Sequence, residues 1–163
     1  MLGQYMMVDK STLDSLIGLE NDDLIESLEK LCEENEVYDI DKLWDGLHFI
    51  LTGKSACQPI EGHRLSEAIV GVTLFNDEDA DFITYIETED LNHIVKALEK
   101  VDVIELRSNF DTSKLRESEI YPAIWDDNEK DSLCDELIQE YTNLLNFYKK
   151  ALAKKANIVV SIY

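Results

Sequence analysis

Cations, proline, glycine and cysteine are all scarce in this chain. Lys and Arg number 15 against 35 Asp and Glu in 163 residues, a formal charge of −20 at pH 7. A phosphate backbone is bound by clustered cations that release its counterions, so nucleic acid is disfavoured as a partner. With two prolines, six glycines and no Ser/Gly-rich or Pro-rich tract, nothing marks a linker, and residues 1–163 read as one domain without internal repeats. The three cysteines, Cys32, Cys57 and Cys134, fit neither a CxxC redox pair nor a zinc ribbon, which leaves reduced thiols. Cys32 and Cys134 lie on apolar stripes, where cysteine packs as a small hydrophobe. No run approaches the roughly 18 apolar residues of a membrane span. The opening "MLGQYMMVDK" lacks the cationic start and long apolar stretch of a secretion signal. These absences lead us to expect a soluble, cytoplasmic protein with no membrane partner.

What is present is a globular composition, 45% hydrophobic and 9% aromatic. A disordered acidic segment would be poor in those residues. A chain of this length buries roughly two thirds of the surface it would expose unfolded, enough for a single core. The charge either serves solubility alone or draws in a basic protein surface, since a negative field speeds encounter with a positive one.

The pattern along the chain predicts mixed helices and strands. "GQYMMVD" reads as a strand, followed by a short helix capped by Asp9 or Ser11 and carrying Leu13, Leu16 and Ile17. In "NDDLIESLEKLCEE", Leu24, Ile25, Leu28, Leu31 and Cys32 recur at helical spacing after a cap at Asn21. "DKLWDGLHFILTG" repeats the arrangement with Asp41 as cap, and Gly53 suits the left-handed residue that ends a helix. Residues 54–67 read as loop, "AIVGVTLF" and "DFITYIE" as strands, and the segment after Thr88 as an amphipathic helix on Leu91, Ile94, Val95 and Leu98. Residues 101–126 are poorly patterned, with a short helix expected around 114–118 and an irregular stretch at Pro122. A long helix from about Asn128 to Lys155 follows, acidic at its start and basic at its end as the dipole favours. "NIVVSIY" then closes the chain as a central strand. The irregular order points to an α+β domain, a mixed sheet packed with several amphipathic helices.

Motifs that would carry chemistry are incomplete. "GKS" at 53–55 has the tail of a phosphate loop, but His48 stands where the first glycine is needed and a helix precedes it instead of a strand. Asp77, Asp79 and Asp81 match three ligand positions of a calcium loop, yet Phe82 and Thr88 occupy the positions that require Gly and Glu. The histidines show no zinc spacing, so neither a metal nor a cofactor is expected. One pairing stands out: His48 lies three residues after Asp45 on a helix, at the border of the apolar stripe, where a carboxylate could orient a general base. The same pair could equally be a structural hydrogen bond.

Trp44, His48, Leu51, Thr52 and Gly53 in the first block and Tyr121, Pro122 and Trp125 in "IYPAIW", together with the opening strand and the terminal helix and strand, carry a family likeness. Over nearly its whole length the chain resembles the YfbM-like bacterial domains of unknown function. The likeness breaks at "AIVGVTLF", where the single Gly71 stands in place of a glycine-rich turn. The resemblance implies a compact α+β domain of bacterial origin and brings no catalytic residue. It also suggests that the His48 helix meets the Tyr121–Trp125 corner, forming a cleft floored by Trp44 and Trp125 with Thr52 and Tyr121 as polar companions. Two functions are thereby set against each other. One is a non-catalytic acidic module, such as an immunity or inhibitor protein, that covers a basic partner. The other is a small enzyme or ligand-binding protein built on His48 and Asp45.

Overall fold

The first and last strands of the chain lie side by side at the centre of one sheet. The computed structural model describes residues 1–76 and 82–163; Asp77, Asp79 and Asp81 of the incomplete calcium pattern lie outside them. In chain order the elements begin with β1 (Gly3–Val8), α1 (Lys10–Leu16), α2 (Asn21–Cys32), β2 (Val37–Asp41), α3 (Trp44–Thr52) and α4 (Arg64–Val70). They continue with β3 (Thr73–Leu74), β4 (Phe82–Ile86), α5 (Thr88–Leu98), α6 (Val103–Asn109), α7 (Thr112–Glu117), α8 (Lys130–Ala153) and β5 (Asn157–Ile162). The strands order as β2-β1-β5-β4-β3. Every described pairing is antiparallel, so the α+β class stands and the sheet is not the mixed one the sequence suggested.

Alternation along the strands sorts the core into two layers, because neighbouring side chains point to opposite faces. Tyr5 and Met7 of β1, Ile158, Val160 and Ile162 of β5, and Ile86 of β4 join the larger core with α3, α4, α5 and α8. Met6, Val8, Ile83 and Val159 face the other way and are covered by Leu13 and Leu16 of α1 and Leu24 and Leu28 of α2. A strand covered on both faces must be apolar on both, and all six residues of β5 are buried.

Local chemistry fixes most element ends. Asp9 caps α1 through its carboxylate and the Thr12 amide at 2.7 Å, and Asp102 does the same for α6 with Ile104 at 2.9 Å. Gly53 ends α3 in the left-handed region at φ 77°, as its position in the sequence predicts. Two expected caps are displaced. Asn21 is the first helical residue of α2, after Glu20, and Asp41 finishes β2, leaving Leu43 at the head of α3.

The clearest departure from the sequence reading is "AIVGVTLF". Ala68, Ile69 and Val70 complete α4 instead of starting a strand, and the strand that pairs with β4 is reduced to Thr73 and Leu74, flanked by amide hydrogen bonds from Val72 to Tyr85 and from Phe75 to Ile83. Five consecutive residues of α4, Ser66 to Val70, are buried, so the helix shows no polar face and its β-branched end mimics a strand. Gly71 makes the exit possible: its φ is 78°, and a Cβ there would overlap Thr84, whose hydroxyl donates to the Val70 carbonyl at 2.7 Å.

Candidate functional site

Helix α3 is unusual in a charged protein because Trp44, Asp45, Gly46, Leu47 and His48 are buried in succession. Burial on all sides leaves its polar side chains one way to be tolerated, which is full hydrogen bonding. Asp45 is 1% exposed. Its Oδ1 accepts from the Ser55 hydroxyl at 3.0 Å and the Ala56 amide at 2.6 Å, and its Oδ2 accepts from the Tyr121 amide at 2.9 Å. One carboxylate thus ties α3 to the following loop and to the chain near Pro122, 76 residues away.

His48 is fully buried. Its Nδ1 lies 2.7 Å from the Lys54 carbonyl oxygen, and its Nε2 lies 2.7 Å from the Ser66 hydroxyl. A carbonyl can only accept, so the proton sits on Nδ1 and the bare Nε2 accepts from Ser66. The Ser66 oxygen in turn accepts from the Ile60 amide at 3.0 Å. Thr52 closes the ring, 3.2 Å from Nδ1 and donating to the His48 carbonyl at 2.8 Å. Burial holds the imidazole below its ordinary pKa, against the opposing Lys54 hydrogen bond and the nearby Asp45 charge. The hydrogen bond expected between Asp45 and His48 is not formed: the carboxylate spends its lone pairs on Ser55, Ala56 and Tyr121.

The sequence was right that the α3 helix and the Tyr121–Trp125 corner meet. Trp125 is buried, donates its indole N–H to the Ile120 carbonyl at 2.7 Å, and lies so close over Gly46 that an added Cβ would overlap the ring. Trp44 packs on Tyr121 with ring centroids 5.7 Å apart. These contacts pack the two segments against each other, and none of the three hollows found among the described residues is lined by His48 or by both Trp44 and Trp125. The hollow at the corner opens outward instead. It has a volume of about 970 Å3, and Arg116, Glu119, Tyr121, Trp125, Asp126 and Glu129 are among its lining residues. Neither His48, Asp45, Trp44 nor Thr52 reaches it.

Residues 1–161 match the family model described as "Domain of unknown function (DUF1877)". The chain belongs to that family. It is 29% identical to Protein YfbM of Escherichia coli strain K12 over 153 residues, 93% of this chain and 92% of that one. The crystal structure of YfbM, a protein of unknown function from Escherichia coli, superposes with a TM-score of 0.85 at 27% identity, covering all of both chains. The YfbM-like resemblance seen in "KLWDGLHFILTG" and "IYPAIW" is therefore a family relationship, and the fold is shared from end to end.

Sequence reasoning missed Ser66, the partner of His48 Nε2, which lies 18 residues away in a segment read as loop. The only local signal was the one a capped helix leaves, with His63 accepting from the Ser66 amide at 3.4 Å. It also missed Glu119 and Glu129 as lining of the outer hollow. Among the described residues no cluster of three or more His, Cys, Asp or Glu could hold a metal ion, and no described helix is long and apolar enough to cross a membrane.

Proposed function

We propose that the protein is a non-catalytic, acidic binding module, immunity- or inhibitor-like, whose working surface is the outer hollow at the Tyr121–Trp125 corner and whose partner is a basic protein segment. The observation that carries this reading is the contrast in how carboxylates are used there. Asp127 is neutralised by Arg116 at 2.9 Å, and Asp126 caps the 3-10 turn that follows it through the Asn128 amide at 2.8 Å. Glu119 and Glu129 are exposed on the rim and hold no cation among the described residues. Ile124 beside them is 42% exposed, so a lysine or arginine stem has apolar surface to lie on while its head meets carboxylate. The formal charge of −20 speeds the approach of such a partner. Asp45 and His48, the alternative catalytic pair, act in this reading as internal ties. A reducing cytoplasm suits the three free cysteines.

The test is capture of a basic partner from the native bacterium with immobilised protein, wild type against a Glu119→Lys/Glu129→Lys variant. The reading expects a partner that is retained by wild type, lost from the variant, and released as ionic strength rises from roughly 0.05 to 0.5 M. A partner held equally by both forms, or indifferent to salt, overturns it.

A further inference from the structure

The hollow between α4 and α5 departs from the charge of the rest of the molecule. It has a volume of about 470 Å3 and is lined by His63, Arg64, His93, Lys96 and Lys100 with two apolar residues. No carboxylate is among the described lining residues, in a chain whose acids outnumber its bases 35 to 15. Helix α5 presents His93 and Lys96 three residues apart on one face, and Lys100, in the turn just past its end, lines the same hollow. The facing wall comes from His63 and Arg64 at the start of α4.

Each lining group has a distinct role. Arg64 donates from Nη1 to Glu67 at 2.7 Å and to Asp90 at 3.0 Å, so its single charge is spent on two carboxylates and it braces α4 against α5. Since His63 Nδ1 accepts from the Ser66 amide, the neutral ring carries its proton on Nε2 and remains a donor. Lys96 and Lys100 are exposed and form no ion pair among the described residues, as is also true of Lys42, Lys54, Lys114, Lys130 and Lys155; what sets the two apart is that they share one hollow with two histidines. The helix dipole accounts for Lys96 near the end of α5. It accounts for neither histidine, nor for a lining beside which the carboxylates of Glu67 and Asp90 are held by Arg64.

We propose that this hollow binds the phosphate group of a small, soluble phosphorylated molecule, with Lys96 and Lys100 balancing the dianion and His63 and His93 donating N–H bonds to its oxygens. Two free cations match two negative charges, and the volume exceeds what the phosphate alone needs, leaving room for an organic portion. A nucleic-acid strand is not the occupant, because its successive phosphates would meet the carboxylates that dominate the surface outside this depression. The site lies on different elements from the acidic corner and stands independently of that reading.

The experiment is a proton NMR titration of the three histidine rings with inorganic phosphate and, separately, with glycerol 3-phosphate, at fixed pH and ionic strength. His63 and His93 should shift saturably while the sealed His48 stays in place as an internal control for the fold. A Lys96→Gln/Lys100→Gln variant, altered only at exposed positions, should weaken the response by roughly tenfold or more with His48 unmoved. Tighter binding of glycerol 3-phosphate than of inorganic phosphate supports an organic phosphate as ligand. Saturable binding of inorganic phosphate without binding of glycerol 3-phosphate overturns that assignment. Absence of a saturable shift up to about 50 mM, an equal response in the variant, or an equal shift with chloride overturns the site.

Discussion

Two sets of carboxylates flank the Tyr121–Trp125 corner, one inside the protein and one outside. Asp45 on the inside accepts three hydrogen bonds and is sealed from water. Glu119 and Glu129 on the outside face solvent across an open hollow. The same functional group therefore holds the fold in one place and shapes an exterior field in the other. A carboxylate withdrawn from water is stable only with its lone pairs filled, after which it has nothing left to offer a ligand. One left in water costs little to keep and stays free to meet a partner. His48 belongs with the inside set, and the groups at the corner rim belong with the outside one.

The sharpest way to break this contrast is to remove a member of each set. Asp45→Ala orphans the Ser55 hydroxyl and the Ala56 and Tyr121 amides, and should cost about 3 kcal/mol or more of stability by urea unfolding. Glu129→Gln should stay within about 0.5 kcal/mol of wild type. Comparable losses in the two variants would erase the distinction. Next in size is Gly46→Ala, which drives a methyl into the Trp125 ring; a loss of about 1–3 kcal/mol with altered tryptophan fluorescence is expected.

The pH dependence of His48 sharpens the inside set further. Its folded pKa lies below the ordinary value, so between that lowered value and about 6.5 the unfolded chain binds a proton that the native state refuses. Stability should therefore be level above about pH 6.5 and fall as pH drops beneath it, by at most about 1.4 kcal/mol per unit from this group. A His48→Gln variant, whatever its absolute stability, should lose that part of the slope in thermal melts at pH 7 to 5.5. An unchanged slope would remove His48 from the account. The smallest effect is expected at Glu119→Gln/Glu129→Gln, nearly silent in melting temperature but with weaker salt-sensitive capture of a basic partner.

How much of this could be read from the chain varied with periodicity. Helix α5 was legible because Leu91, Ile94, Val95 and Leu98 face one core and all four are buried. The central place of β5 was legible because both its faces are covered. Helix α6 was missed because none of its residues is buried and its pattern has no stripe; the Asp102 cap holds its start. Strand β2 was missed because, paired on one side only at the end of the sheet, it alternates weakly, with Ile40 its single fully buried residue. At the site, the spacing of Asp45 and His48 suggested a mutual bond, but side chains three apart on a helix also have the choice of partners from elsewhere.

The sequence by itself determined the class of the fold, the helix end at Gly53, the charge of the exterior and the kinship through "KLWDGLHFILTG" and "IYPAIW", and it narrowed the cap of α1 to Asp9 or Ser11. These follow from local propensity, composition and pattern, which need no knowledge of distant neighbours. Tertiary structure alone decided that His48 would be closed off by Ser66 and Lys54, that Asp45 would bind the Tyr121 amide across 76 residues, and that five basic or imidazole side chains would line one hollow. Hydrogen-bond partners and local charge depend on which surfaces packing brings together, and that is set by the whole chain at once.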